Sequence, residues 1–200
     1  MKDNETPPKD RILSKAAEVF AQKGFGGATI RAICAAADVS PNMIHHYFGS
    51  KQSLFDALFE EFGEHVFAVP LRVINRTPTS VEDFKTRFAI FFEDTISALI
   101  THRHTYELAA KEKIVLPGYD AYFRQLLTFL KRSQEAGILR DALDCEMITG
   151  VFIDRIGPQL VYAEQMQDRY GESILIDGPY RRRWIDANID LFLSGMVVEA

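Results

Sequence analysis

Residues 29–54 read TIRAICAAADVSPNMIHHYFGSKQSL, and this stretch decides the fold. Thr29 and Ser40 stand where helix N-caps belong, each just ahead of a short amphipathic run. Ile30, Ile33, Ala36 and Ala37 recur at helical spacing, and so do Ile44, Tyr47 and Phe48. Asp38-Val39-Ser40 supplies the turn between the two runs, with Val39 as the apolar plug of the corner. Asp tolerates the left-handed backbone that such a turn asks for. Two short helices joined this way make a helix-turn-helix, whose second helix enters the DNA major groove.

Outward from this stretch the chain reads as helix throughout, an all-α fold. Residues 1–6 are polar and read as a frayed end. Pro7 and Pro8 open a first helix, with Thr6 as its cap, that runs to about Lys23 and is stopped by Gly24. Ile12, Leu13, Ala16, Val19 and Phe20 form its inner face, and Phe25 folds back as a lid. Ser50 caps a fourth helix, 51–69, that ends at Pro70 and serves as a connector. Further helices are expected over 81–100, 105–113, 119–136, 144–167 and 180–195, with Asp144 as an N-cap and a bend at Gly157-Pro158. No β-pattern, internal repeat or low-complexity tract appears.

Composition narrows the function classes. The net charge is −5, yet residues 1–55 carry seven Lys/Arg against five Asp/Glu, while residues 56–200 carry 16 against 23. The mildly basic part is the one with the helix-turn-helix, and the local field at a docking face matters more than the whole-chain balance. No signal peptide and no apolar run long enough to span a bilayer is read, so a cytoplasmic location is expected. Cys34 and Cys145 make no CxxC pair and read as small buried hydrophobes rather than redox sensors. His45-His46 and His102/His104 have the wrong helical spacing to share a metal, so no metal or cofactor is expected. No G-x-S-x-G, P-loop, G-x-G-x-x-G or H-E-x-x-H occurs, which argues against an enzyme.

The helix-turn-helix resembles the N-terminal DNA-binding domain of TetR-type transcriptional regulators, whose pattern is roughly T-x-x-x-I-A-x-x-A-G-V-S-x-G-x-x-Y-x-Y-F-x-x-K-x-x-L. Thr29, Ile33, Ala37, Val39, Ser40, Tyr47, Phe48, Lys51 and Leu54 match it. Cys34, Asp38 and His45 depart from its usual Ala, Gly and Tyr. The likeness covers about 55 residues from Arg11 onward. It implies a DNA-binding domain over 1–55 and a larger helical domain over 70–200 for effector binding and dimerisation. By resemblance, Pro41, Asn42 and Met43 occupy the base-contacting positions, and Arg31 a position from which some members read a base. Thr29, His45, His46, Tyr47 and Lys51 occupy phosphate-clamping positions, and Ser40 caps the reading helix. Asn42 suits adenine N6/N7, and Met43 suits a thymine methyl.

For the second domain, the resemblance implies a homodimer on a palindromic operator, released by a small effector. The last two long helices would form the dimer surface through Ile148, Val151, Phe152, Ile156, Leu160, Ile185, Ile189 and Phe192, unless these pack within one chain. Phe88, Phe91, Phe92, Tyr106, Tyr122 and Phe123 would line a cavity for an apolar or aromatic effector, unless they are ordinary core. Two other classes compete: a helical interaction protein, and an enzyme using the C-terminal cavity without binding DNA.

Overall fold

The computed structural model describes residues 6–198, in which ten α-helices account for nearly all regular structure. Residues 1–5 of the polar end lie outside the described part. Contacts divide the chain into two compact units. The first holds the residues up to Glu64 together with His102–Pro117; the second holds His65–Thr101 and the residues from Gly118 onward.

In the first unit, α1 (Pro8–Gly27) presents Ile12, Leu13, Ala16, Val19 and Phe20 inward. Pro7 takes the N-cap position and no side chain caps the helix, so Thr6 does not have the role its hydroxyl suggests. Regular geometry breaks at Gly24 (φ 68°), where a non-glycine residue would be strained and its Cβ would crowd Glu112 Oε1 at 3.0 Å. α2 (Ile30–Ala37) begins at Thr29, whose Oγ1 accepts from Ala32 N at 3.1 Å. It ends at Asp38 in the left-handed region (φ 52°, ψ 54°). α3 (Pro41–Phe48) follows, then a tight turn through Gly49 (φ 77°), then α4 (Lys51–Phe62), capped by Ser50 Oγ accepting from Ser53 N. Ile12, Phe20, Ile33, Ile44 and Leu54 are fully buried together, so all four helices close one core.

Lys51 ties this unit in a way its sequence position does not announce. Its ammonium donates to the carbonyls of Phe25 (2.8 Å) and Ala28 (3.0 Å) and lies 4.3 Å from the Phe25 ring centroid. Phe25 in turn packs on Phe20 and Phe55. The start of α4 is thereby clamped to the bend between α1 and α2. α6 (Arg103–Glu112) also packs here, against α1, although sequence expectation draws the second domain from residue 70 onward. Leu108 and Ala109 join the same core. Lys111 donates to the Ala21 and Gln22 carbonyls near the bend, and Glu112 accepts from Phe25 N.

The fourth helix keeps α-geometry only to Phe62, not to residue 69. Gly63–Ala68 is wound as a π-helix, and Pro70 opens a 3-10 turn, Pro70–Ile74, rather than ending a helix. Gly63 has a packing reason: a Cβ there would lie 2.9 Å from the Pro117 carbonyl oxygen. In the second unit, α5 (Val81–Thr101) is the central element, with α7 (Tyr119–Glu135), α8 (Cys145–Val161) and α10 (Pro179–Met196) contributing to the core around it. Phe84 stacks on Phe129 (5.3 Å), Phe91 on Tyr122 (5.6 Å), and Phe152 meets Phe88 (5.5 Å) and Phe192 (5.4 Å). Asp144 caps α8 as expected, its Oδ1 accepting from Glu146 N and Met147 N. Pro158 is carried inside α8 without ending it. The helix expected to reach residue 167 is instead interrupted at Tyr162 (φ −98°, ψ 4°), and α9 (Ala163–Tyr170) starts after it. An antiparallel bridge, Leu139 to Val197, ties the end of α10 to the loop after α7.

Burial also sorts the eight residues nominated for a dimer surface. Phe152, Ile156, Leu160, Ile185 and Phe192 are interior, because α8 and α10 use them to cover α5. Ile148 and Ile189 are half-buried, and Val151 is exposed. The exposed apolar residues of these helices are Met147, Val151, Val161 and Leu191.

Two substitutions probe the two cores. Phe152→Ala removes a ring that touches four neighbouring rings and is expected to cost about 3–5 kcal/mol in urea unfolding. Lys51→Ala removes two charge-assisted hydrogen bonds at a half-buried site and is expected to cost roughly 1–2 kcal/mol, with a lowered melting temperature even when no DNA is present.

Candidate nucleic-acid interface

α3 is held by one face and open on the other. Ile44 is fully buried, and Met43 and Phe48 pack half-buried against the same core. Pro41, Asn42, His45, His46 and Tyr47 are exposed. The Asn42 side chain makes no hydrogen bond among the described residues, so its amide presents a donor and an acceptor outward. Tyr47 is 39% exposed, edge-on to His46 at 5.1 Å, which removes it from the core.

The helix start is open as well. Ser40 sits at the N-cap with extended backbone, but its hydroxyl does not cap; the first turn closes through Met43 N to the Ser40 carbonyl at 3.0 Å. Pro41 brings no N–H. The hydroxyl of Ser40 and the positive end of α3 are therefore turned to the outside. Thr29 Oγ1 is occupied as an acceptor by Ala32 N, while its O–H can still donate outward. Arg31, on α2, is exposed.

His45 departs from the family pattern, and its geometry is specific. Nδ1 lies 2.9 Å from the Gly49 carbonyl oxygen, which can only accept, so Nδ1 carries the hydrogen and donates. In the neutral ring Nε2 is then an acceptor, and it becomes a donor only in the imidazolium form. Lys51, the other expected phosphate group, spends two of its three N–H donors on Phe25 and Ala28. Pattern matching to a clamp position carries no information on that internal task; the signal for it was Phe25, an aromatic placed straight after the helix-breaking Gly24.

The expected effector residues fall into different surroundings. Phe88, Phe91, Phe92 and Tyr122 are buried in the second unit, and Phe123 there is half-buried. Tyr122 Oη and Thr95 Oγ1 are 3.1 Å apart, and burial pushes the phenol pKa up. Tyr106 belongs to the first unit, stacked on Phe62 at 6.5 Å. There, too, His104 Nδ1 pairs with Glu107 at 3.2 Å. Both thiols, Cys34 and Cys145, are buried with pKa values raised chiefly by desolvation, which disfavours the reactive thiolate. Among the described residues, no group of three or more His, Cys, Asp and Glu could hold a metal ion, and no helix is long and apolar enough to cross a membrane.

Comparison with known proteins places this geometry. Residues 12–58 match the family model described as bacterial regulatory proteins, tetR family. The regulator UidR of Escherichia coli is 35% identical over 68 residues, which span 34% of this chain and only 35% of that protein. The repressor NicS of Pseudomonas putida is 27% identical over 148 residues, 74% of this chain and 67% of NicS. Among solved structures, the ketosteroid regulator KstR2 of Mycobacterium tuberculosis has a TM-score of 0.70 at 19% identity, covering 97% of each chain. PfmR of Thermus thermophilus gives 0.68 at 18%, covering 98% of this chain and 99% of that one. At these identities the structural likeness speaks for the fold, while the motif residues of α2 to α4 speak for the head. Residues 12–58 are thus similar to the tetR family of bacterial regulatory proteins, and the chain shares the fold of a solved TetR family regulator.

Proposed function

We propose that this chain is a ligand-responsive transcriptional repressor that binds a palindromic operator as a homodimer in the cytoplasm. The observation that carries this reading is α3: Ile44 locks one face into the core while Asn42, His45, His46 and Tyr47 stand together on the open face. A rigid short helix with polar side chains at i, i+3, i+4 and i+5 is what groove reading requires. Pro41, Asn42 and Met43, at its N-terminal end, meet base edges. Ser40, Thr29, His46 and Tyr47 meet phosphates with hydroxyl and ring donors, His45 stands beside them, and Lys51 has one N–H left for the same purpose. Arg31 adds a charge from α2. The role is that of a regulator and not of a catalyst, in keeping with relatives named as repressors.

One α3 reads too few base pairs to select a site in a genome, so two copies act together. The dimer reading rests on the outward faces of α8 and α10. Met147, Val151 and Val161 follow one another at i, i+4 and i+14 on α8, and Leu191 is exposed on α10. Half-buried Ile148 and Ile189 flank them. An effector held by the aromatic second unit, in the neighbourhood of Phe91, Tyr122 and Phe123, shifts the population toward a form with weaker operator affinity. It does so only to the extent that it binds that form better.

Selection from random duplexes at controlled salt is expected to return a palindrome. Asn42→Ala should relax preference at one or two positions of each half-site while leaving the fold intact; an unchanged sequence logo would remove Asn42 from base reading. Val151→Glu combined with Leu191→Glu should convert the dimer to a folded monomer in sedimentation velocity, with operator affinity lost by at least tenfold; a dimer that persists would move the interface elsewhere.

A further inference from the structure

The second unit carries a cleft of about 410 Å³ between the 3-10 turn Pro70–Ile74 and the outer face of α7. That volume falls in the range of small-molecule sites. Its floor is apolar: Ile74 and Phe129, each 2% exposed. Asn75, Gln125 and Thr128 bring amide and hydroxyl groups to its walls, and Arg124 and Arg132 stand at its margins. No carboxylate lines it, although residues 56–200 as a whole carry an acidic excess.

The two arginines differ from most others of this unit. Arg87, Arg140, Arg155, Arg181, Arg182 and Arg183 each donate to a carboxylate, carbonyl or amide oxygen. Among the described residues, the guanidinium groups of Arg124 and Arg132 have no such partner. Asp120 is one turn from Arg124 and Glu135 one turn from Arg132, yet neither forms an ion pair with them. The two arginines are eight helical steps apart, a rise of about 12 Å along α7. Two forked cations at that spacing, with an apolar floor between them, complement an extended molecule that has an anionic group at each end.

We propose that this cleft binds a small linear dianion, of the dicarboxylate class, with Arg124 and Arg132 each taking one end and the apolar middle lying over Ile74 and Phe129. This chemistry differs from the neutral apolar or aromatic effector that the buried rings suggest. The proposal concerns the free protein and stands whether or not the chain reads DNA.

The test is calorimetric titration of the full-length chain, without DNA, with decanedioate, decanoate, 1-decanol and inorganic phosphate. Decanedioate is expected to bind saturably, and more tightly than any of the other three. Arg124→Gln and Arg132→Gln should each weaken it roughly tenfold, as expected for loss of a charge-assisted bond. Thermal melts of the variants should match the parent, since both side chains are exposed. The single substitutions carry the test if the double variant does not fold. Absence of decanedioate binding would overturn the proposal. So would single variants that bind it as the parent does, or inorganic phosphate binding as tightly as decanedioate.

Discussion

The head of this protein depends on where one ammonium group sits. α1 must stop, reverse and hand over to α2 within a few residues, and Gly24 permits the break by taking a φ that other residues avoid. A break alone leaves the angle between α1 and α2 unspecified. Lys51 specifies it, by bonding two carbonyls on the bend and covering the Phe25 ring, while Phe25 reaches Phe20 on one side and Phe55 on the other. The bend, α1 and α4 are fastened at one point, and α2 and α3 are carried by what remains of the same core. Lys111 and Glu112 of α6 reinforce the bend from another direction.

The second unit is organised differently, by ring-on-ring packing along α5. Phe84, Phe88, Phe91 and Phe92 recur at three- and four-residue spacing, which puts them on one side of the helix. α7, α8 and α10 each send an aromatic into that side: Phe129, Phe152 and Phe192. Such a core draws little on polar groups; Thr95 with Tyr122 is a buried pair that satisfies itself.

Much of the first four helices, and the start of α8, was legible from the chain because these limits are written in local chemistry. Thr29, Asp38, Ser50 and Asp144 act through neighbours one turn away, and the structure has them at helix limits as expected. Ser40 is the exception: it occupies its cap position but leaves its hydroxyl unused. The features that were not legible are those set by residues distant in sequence. The π-wound stretch after Phe62 lies against Pro117, the grouping of α6 with the head rests on its contacts with α1, and the task of Lys51 is fixed by carbonyls 23 and 26 residues earlier. The nominated dimer residues show the same limit. Helical spacing finds an apolar stripe, but it does not say whether the stripe meets the chain's own core or another molecule. Phe152 and Val151 are adjacent in sequence and opposite in exposure, and only packing separates them.

The brevity of α3 has a consequence for how such a protein changes over time. Eight residues rise only about 12 Å, close to the width of the groove itself. Three of the eight residues pack inward, which leaves the outward positions, those proposed to read bases, able to vary without disturbing Ile44. Under that proposal a lineage can exchange one target site for another by altering the codons for those positions alone, while the scaffold beneath is inherited unchanged.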